Sequence, residues 1–188
     1  MSDVPDRFNQ ATAHFGDLVH KVSADQWSNA TPCDEWDVRA LVNHLVYEAR
    51  WAPPILAGRT IADVGDQFEG DLLGGDPETA YDHAVKAALN ATTAPGAMEA
   101  TVHLSYGDTP GSDYVAQMAC DFVLHAWDLA RGIGADDTLD PDMVQWVDEI
   151  ARPQAAMLTA SGLFGTPIDV PEDADPQTKL LALFGRRR

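Results

Sequence analysis

Three side chains able to bind a cation recur at helical spacing in the middle of the chain. They are Asp121, His125 and Asp128, within the stretch C-D-F-V-L-H-A-W-D-L-A-R-G of residues 120–132. Intervals of four and three stack side chains on one face of an α-helix. The apolar stripe of the same stretch runs through Val115, Met118, Ala119, Phe122, Ala126 and Leu129, so the polar three are expected to flank the core without occupying it. A carboxylate and an imidazole one turn apart can share a divalent cation, with donor atoms about 2 Å from it. Two ligands do not complete a site, so a third must come from another element.

Residues 31–48, T-P-C-D-E-W-D-V-R-A-L-V-N-H-L-V-Y-E, offer one. Asp37 is a good N-cap, and Val38, Leu41, Val42, Leu45 and Ala49 form the buried stripe of the helix that follows. His44 and Glu48 stand one turn apart on its flank, on the same side of their stripe as Asp121 and His125 are of theirs. Two such helices packed side by side would bring both flanks to one cleft. Taken alone, His44 reads either as a ligand or as a surface or hydrogen-bonded histidine. Glu48 is either a solvated glutamate or a proton-transfer group. Asp128 either orients a ligand imidazole, or is a helix-surface carboxylate, or is a partner of Arg131 or Arg39. Cys33 precedes a helix, where a thiolate can be stabilised, but no histidine base stands beside it in sequence, and it reads as a buried structural thiol. Cys120 points to a different helical face from Asp121. Trp36, Trp51 and Trp127 read as core packing.

The elements that must hold these groups follow from periodicity and turn chemistry. Phe8, Ala11, Phe15, Leu18 and Val22 predict a first helix over residues 4–22, with His14 and His20 solvated. Residues 23–30 are a polar connector. Residues 58–77, rich in Gly and Asp, read as a surface loop whose carboxylates (Asp63, Asp66, Glu69, Asp71, Asp76) do not match the spacing of a calcium-binding loop. A third helix is expected over residues 77–92, with His83 exposed, then an extended segment at 101–106 carrying an ordinary loop histidine, His103. The metal-bearing helix begins near Ser112. A further helix starts at Pro141 and is split or kinked by Pro153; a Pro- and Asp-rich strap and a short helix at 176–184 complete the chain. No internal repeat interrupts this order, and one domain over residues 1–188 is expected.

With 188 residues, 45% of them hydrophobic, the chain can bury a real core. A formal net charge of -18 repels phosphate backbones and argues against nucleic acid as a partner. No apolar run approaches the roughly 18 residues of a membrane span, and no signal pattern opens the chain. Two cysteines are too few for a disulfide framework. These features lead to the expectation of a soluble, cytoplasmic protein that does not engage membranes.

The combination T-P-C-x-x-W-x-V-R-x-L-x-x-H (from Thr31 to His44) with H-x-W-D-L-A (from His125 to Ala130) resembles the actinobacterial metal-binding proteins related to mycothiol-dependent maleylpyruvate isomerase, within the DinB/YfiT-like superfamily. The likeness extends through P-G-A-M (residues 95–98), F-G-T-P (164–167) and L-L-A-L-F-G-R (180–186). It implies an all-α fold, a DinB-like four-helix bundle with long connecting loops and a short C-terminal helix. It also implies a divalent metal held by His44, Asp121 and His125; many relatives carry Glu or His where this chain has the shorter Asp121. Two imidazoles and a carboxylate leave coordination positions open, and such an ion can lower the pKa of water to about 7 or hold a thiol as thiolate. Zinc, nickel, iron and manganese all suit these donors.

The resulting expectation is a metal-dependent transferase or isomerase acting on a small-molecule substrate with a low-molecular-weight thiol such as mycothiol, and with Glu48 and Asp128 as the catalytic candidates. The isomerase itself carries an additional C-terminal domain, which this chain is not expected to share, so maleylpyruvate isomerisation itself is not the expected reaction. The rival expectations are a metal-dependent hydrolase of amide or ester bonds and a non-catalytic metal- or ligand-binding module. The long strap and an exposed bundle face are compatible with a homodimer.

Overall fold

The computed structural model describes residues 4–34, 36–162 and 165–188, so Phe164 of the F-G-T-P motif lies outside the described residues. The protein is mostly helical. It divides into two compact units, Met1–Asp136 and Asp137–Arg188.

The first unit is built on four long helices: α1 (Val4–Val19), α2 (Val38–Leu56), α4 (Pro77–Thr92) and α5 (Gly111–Ile133). A single turn, α3 (Ile61–Val64), lies in the loop after α2, and a hairpin of β1 (Thr101–Leu104) and β2 (Gly107–Pro110) precedes α5. Helix α1 packs between α5 and α4, and α2 packs between α4 and α5, which closes a four-helix ring. Each helix turns its apolar stripe inward, as its spacing requires. Phe8 and Phe15 of α1 both set their edges against Phe122 of α5, at 5.7 Å between ring centroids, and Phe15 also meets Tyr81 of α4 at 5.6 Å. The Tyr81 hydroxyl donates to the Thr12 carbonyl at 2.6 Å, so the one polar atom of that ring is satisfied inside the core.

Helix α1 ends three residues earlier than the periodicity predicts. Val22 is still buried, but in a turn beyond the helix that donates to the Val19 carbonyl. Residues 58–77 depart further from expectation. Thr60 and Asp63 form a reciprocal capping box that creates α3, a helix too short to show a period. The rest of the loop is fastened to α2: Arg39 donates to Asp71 at 2.9 Å, and Asn43 accepts from the Leu72 amide at 2.8 Å while Leu73 is buried. Helix α4 has the expected bounds, capped by Asp76.

Helix α5 is fixed at both ends by glycine. A Cβ on Gly111 would stand 2.0 Å from the Ala97 carbonyl oxygen, so only glycine lets the helix start where the Gly111 amide reaches Ala100. Gly134 terminates the helix at φ +68°, a left-handed geometry that costs other residues energy.

In the second unit, α6 (Pro141–Ala151) passes through a 3-10 turn (Arg152–Gln154) into α7 (Ala155–Ser161), the break falling at Pro153 as expected. Helix α8 (Pro176–Leu183) packs on α6. Its buried Gln177 accepts from the Leu139 amide and donates to the Asp137 carbonyl, pinning the strand of chain that leads into α6. Among the described residues, no helix is long and apolar enough to cross a membrane.

Candidate metal centre

Helices α2 and α5 are neighbours in the ring, and their flanks meet as the spacing of His44 and Asp121 requires. Asp37 sets the register of α2 by accepting from the Ala40 amide at 2.8 Å, which places His44 and Glu48 on the side turned toward α5. The Asp121 carboxylate lies between the two imidazoles: Oδ2 accepts from His44 Nε2 at 3.0 Å, and Oδ1 is 3.5 Å from His125 Nε2. The donor atoms of His44, Asp121 and His125 all lie within 4.8 Å of one another. Donors bound about 2 Å from one ion are at most roughly 4 Å apart, so a small inward closure of the side chains is enough. The set fits a divalent cation.

Asp128 and His125 are more deeply placed than the helical pattern predicts. Asp128 has no exposed surface and His125 only 5%, whereas they were expected to flank the core. The cover comes from the connector between α1 and α2, which has no periodicity to read. Asn29 donates to the Gly132 carbonyl and Gln26 to the Ile133 carbonyl, so this segment caps the C-terminal end of α5 and closes over its flank. There, Asp128 Oδ2 accepts from His125 Nδ1 at 2.8 Å. Asp128 is thus a buried partner of His125 and not a surface carboxylate. With Nδ1 carrying the proton, the Nε2 lone pair faces Asp121.

Glu48 sits close enough to Asp121 and His44 for their charges to be coupled. Burial pushes its carboxyl up, the Asp121 charge adds to this, and the two outweigh the opposing effect of His44 to leave the pKa at about 7. It is therefore not the solvated glutamate of the simpler reading. For His44, burial works against the charged form, but the hydrogen bond and charge of Asp121, with the charge of Glu48, leave its pKa raised. Protonation of His44 competes with any cation at the same nitrogen.

Sequence reasoning missed two residues. Trp36, read as core packing, stacks on His44 at 4.5 Å between centroids and lies 5.5 Å from His125, roofing both imidazoles. Cys33, read as a structural thiol without a histidine nearby, places Sγ 3.8 Å from His125 Nδ1 and 3.2 Å from Asp128 Oδ2. The contacts span more than 90 residues of sequence, beyond the reach of any local pattern. Cys120 is on another face as expected, its thiol pushed up to about 12 by burial and by the charge of Asp121. His20 pairs with Asp82 and His103 with Asp108, both at the surface and away from the centre.

The model of the mycothiol maleylpyruvate isomerase N-terminal domain family matches residues 8–130, which carry all of these side chains. The chain belongs to that family. Two solved chains are similar to this one in fold, the mycothiol-dependent maleylpyruvate isomerase and a histidine-to-alanine mutant of it. Both superpose with a TM-score of 0.62 at 16% and 17% identity, over 83% of this chain and 68% of the other. The chain is also 30% identical over 185 residues to Mycobacterium tuberculosis proteins Rv0738 (strain H37Rv) and MT0763 (strain CDC 1551), covering 92% of this chain and 91% of each of them. Family membership and a DinB-like helical fold are thus in agreement with the motifs at Thr31–His44 and His125–Ala130.

Proposed function

We propose that this family member is a divalent-metal-dependent enzyme that uses a low-molecular-weight thiol such as mycothiol in a transferase or isomerase reaction. The observation that carries the reading is the convergence of His44, Asp121 and His125 from two helices, beside a carboxyl group with a pKa of about 7. The name of the family's isomerase supplies the thiol as the cosubstrate class to test.

His44 Nε2, His125 Nε2 and one Asp121 oxygen would hold the ion, and Asp128 keeps His125 in the tautomer that can do so. A bound dication supplies Lewis acidity that stabilises a thiolate at neutral pH. Glu48 is the group placed to move the proton. Its raised pKa reflects in part the negative charge of Asp121, and a positive charge at the centre would lower it, leaving an ionised carboxylate to accept a thiol proton. Trp36 covers the imidazoles and limits water there.

The decisive experiment compares turnover of small electrophilic substrates by the zinc- or nickel-loaded protein with and without mycothiol. Turnover that requires the thiol and is lost in Glu48→Gln supports the reading. Product formed equally well without thiol would overturn it in favour of metal-assisted hydrolysis.

A further inference from the structure

Asp128 is a fully buried carboxylate, and an ionised group with no exposed surface must be stabilised by donors. Two of them converge on a single oxygen: His125 Nδ1 at 2.8 Å and Cys33 Sγ at 3.2 Å. A thiol is a weak donor to neutral acceptors but a stronger one to a charged oxygen. The thiol is carried by a built turn. The Cys33 amide donates to Thr31 Oγ1 at 3.2 Å, Thr31 Oγ1 donates to the Trp36 carbonyl at 2.7 Å, and the Trp36 amide donates to the Cys33 carbonyl at 2.9 Å. The turn that roofs the imidazoles with Trp36 therefore also delivers Sγ to the oxygen that orients His125.

We propose that Cys33 is a positioning residue of the centre: its thiol donates to Asp128 and, through that carboxylate, holds His125 in the Nδ1–H tautomer with Nε2 presented to Asp121. The donor atoms of Cys33, His125 and Asp128 also lie within 4.8 Å of one another, so ligation by the sulfur is the rival outcome that a cobalt spectrum distinguishes from the donor role assigned here. The consequence for cation affinity rests on the metal-centre reading; the consequence for the tautomer does not.

The test uses the full chain with Cys33→Ala, Cys33→Ser and, as a thiol control, Cys120→Ala. Cobalt(II) and zinc(II) affinities are measured by competition with a chelator, and the His125 tautomer is read from imidazole nitrogen shifts in the metal-free protein. Removing an outer partner of a ligand histidine costs about 10–100-fold in affinity, and Cys33 acts one bond further out, so about tenfold weakening is expected for Cys33→Ala. Cys33→Ser, which keeps a donor, recovers most of it. Cys120→Ala matches the parent. The tautomer is single in the parent and mixed in Cys33→Ala. Parental affinity and a single tautomer in Cys33→Ala would overturn the assignment. A sulfur-to-cobalt charge-transfer band in the parent that vanishes in Cys33→Ala would also overturn it, since the thiol would then be a ligand. If the parent takes up neither cation, the metal-centre reading fails and the tautomer comparison alone decides the role of Cys33.

Discussion

Replacing Glu48 by Gln should stabilise the metal-free protein, and by an amount that grows with pH. The carboxyl has an ordinary pKa of 4.5 and is pushed up to about 7 in the fold, by burial first and by Asp121 second. A folded-state pKa above the unfolded one means that the folded state binds the proton more tightly. The stability this confers is complete at acid pH and is lost as pH rises between 4.5 and 7. Each unit is worth about 1.36 kcal/mol, so the full shift amounts to about 3 kcal/mol; partial exposure of the side chain reduces this to about 2–3 kcal/mol. Glutamine has nearly the same shape and never ionises. The difference in unfolding free energy between Glu48→Gln and the parent should be under about 1 kcal/mol at pH 5 and about 2–3 kcal/mol in favour of the variant at pH 8. Urea denaturation of both proteins in chelator, at half-unit steps across that range, measures it, because the contributions of titrating groups that do not feel Glu48 cancel in the difference. A difference independent of pH, or one favouring the parent at pH 8, would refute the account of Glu48 as a carboxylate held out of water beside Asp121.

Other perturbations separate the candidate metal centre from the scaffold. His44→Ala and His125→Ala should each lose most of the metal found in the parent by elemental analysis while keeping far-UV circular dichroism; full metal retention in both would remove the ligand assignment. Asp128→Asn should lower zinc affinity about 10–100-fold in a chelator competition, since the amide replaces the oxygen that holds His125 Nδ1. Tyr81, whose pKa is raised well above 10 by burial and by the charges of Asp82 and Asp17, should stay protonated until the protein unfolds, so its ultraviolet titration should coincide with loss of structure. Gly111→Ala should destabilise the fold by about 2 kcal/mol or more in denaturant unfolding, because the new methyl meets backbone that has no flexible end to move.

What the sequence disclosed and what it concealed have a common physical origin. Helices α2, α4 and α5 were legible because burial of one face imposes a period, and Asp37 marks the start of α2. The same period placed His44 and Asp121 on facing flanks. It misjudged the depth of Asp128, because depth depends on what covers a face, and here the cover is an aperiodic connector held by Gln26 and Asn29. It could not place Cys33 or Trp36 beside His125, since a turn of six residues contains no register from which its partners can be counted. The one-turn helix α3 escaped for the related reason that a capping box without an apolar repeat looks like any polar loop.

The division of labour around the imidazoles has an evolutionary consequence. The donors ride on helices whose other faces are locked into the core, while the roof over them is the short turn from Thr31 to Trp36, closed on itself by its own hydrogen bonds. Exposed turn positions such as Pro32 and Asp34 face few packing constraints. Changes at those two exposed positions are therefore expected to leave the donors beneath in place, so the rim above the imidazoles is free to vary in shape and charge while the helical frame stays fixed.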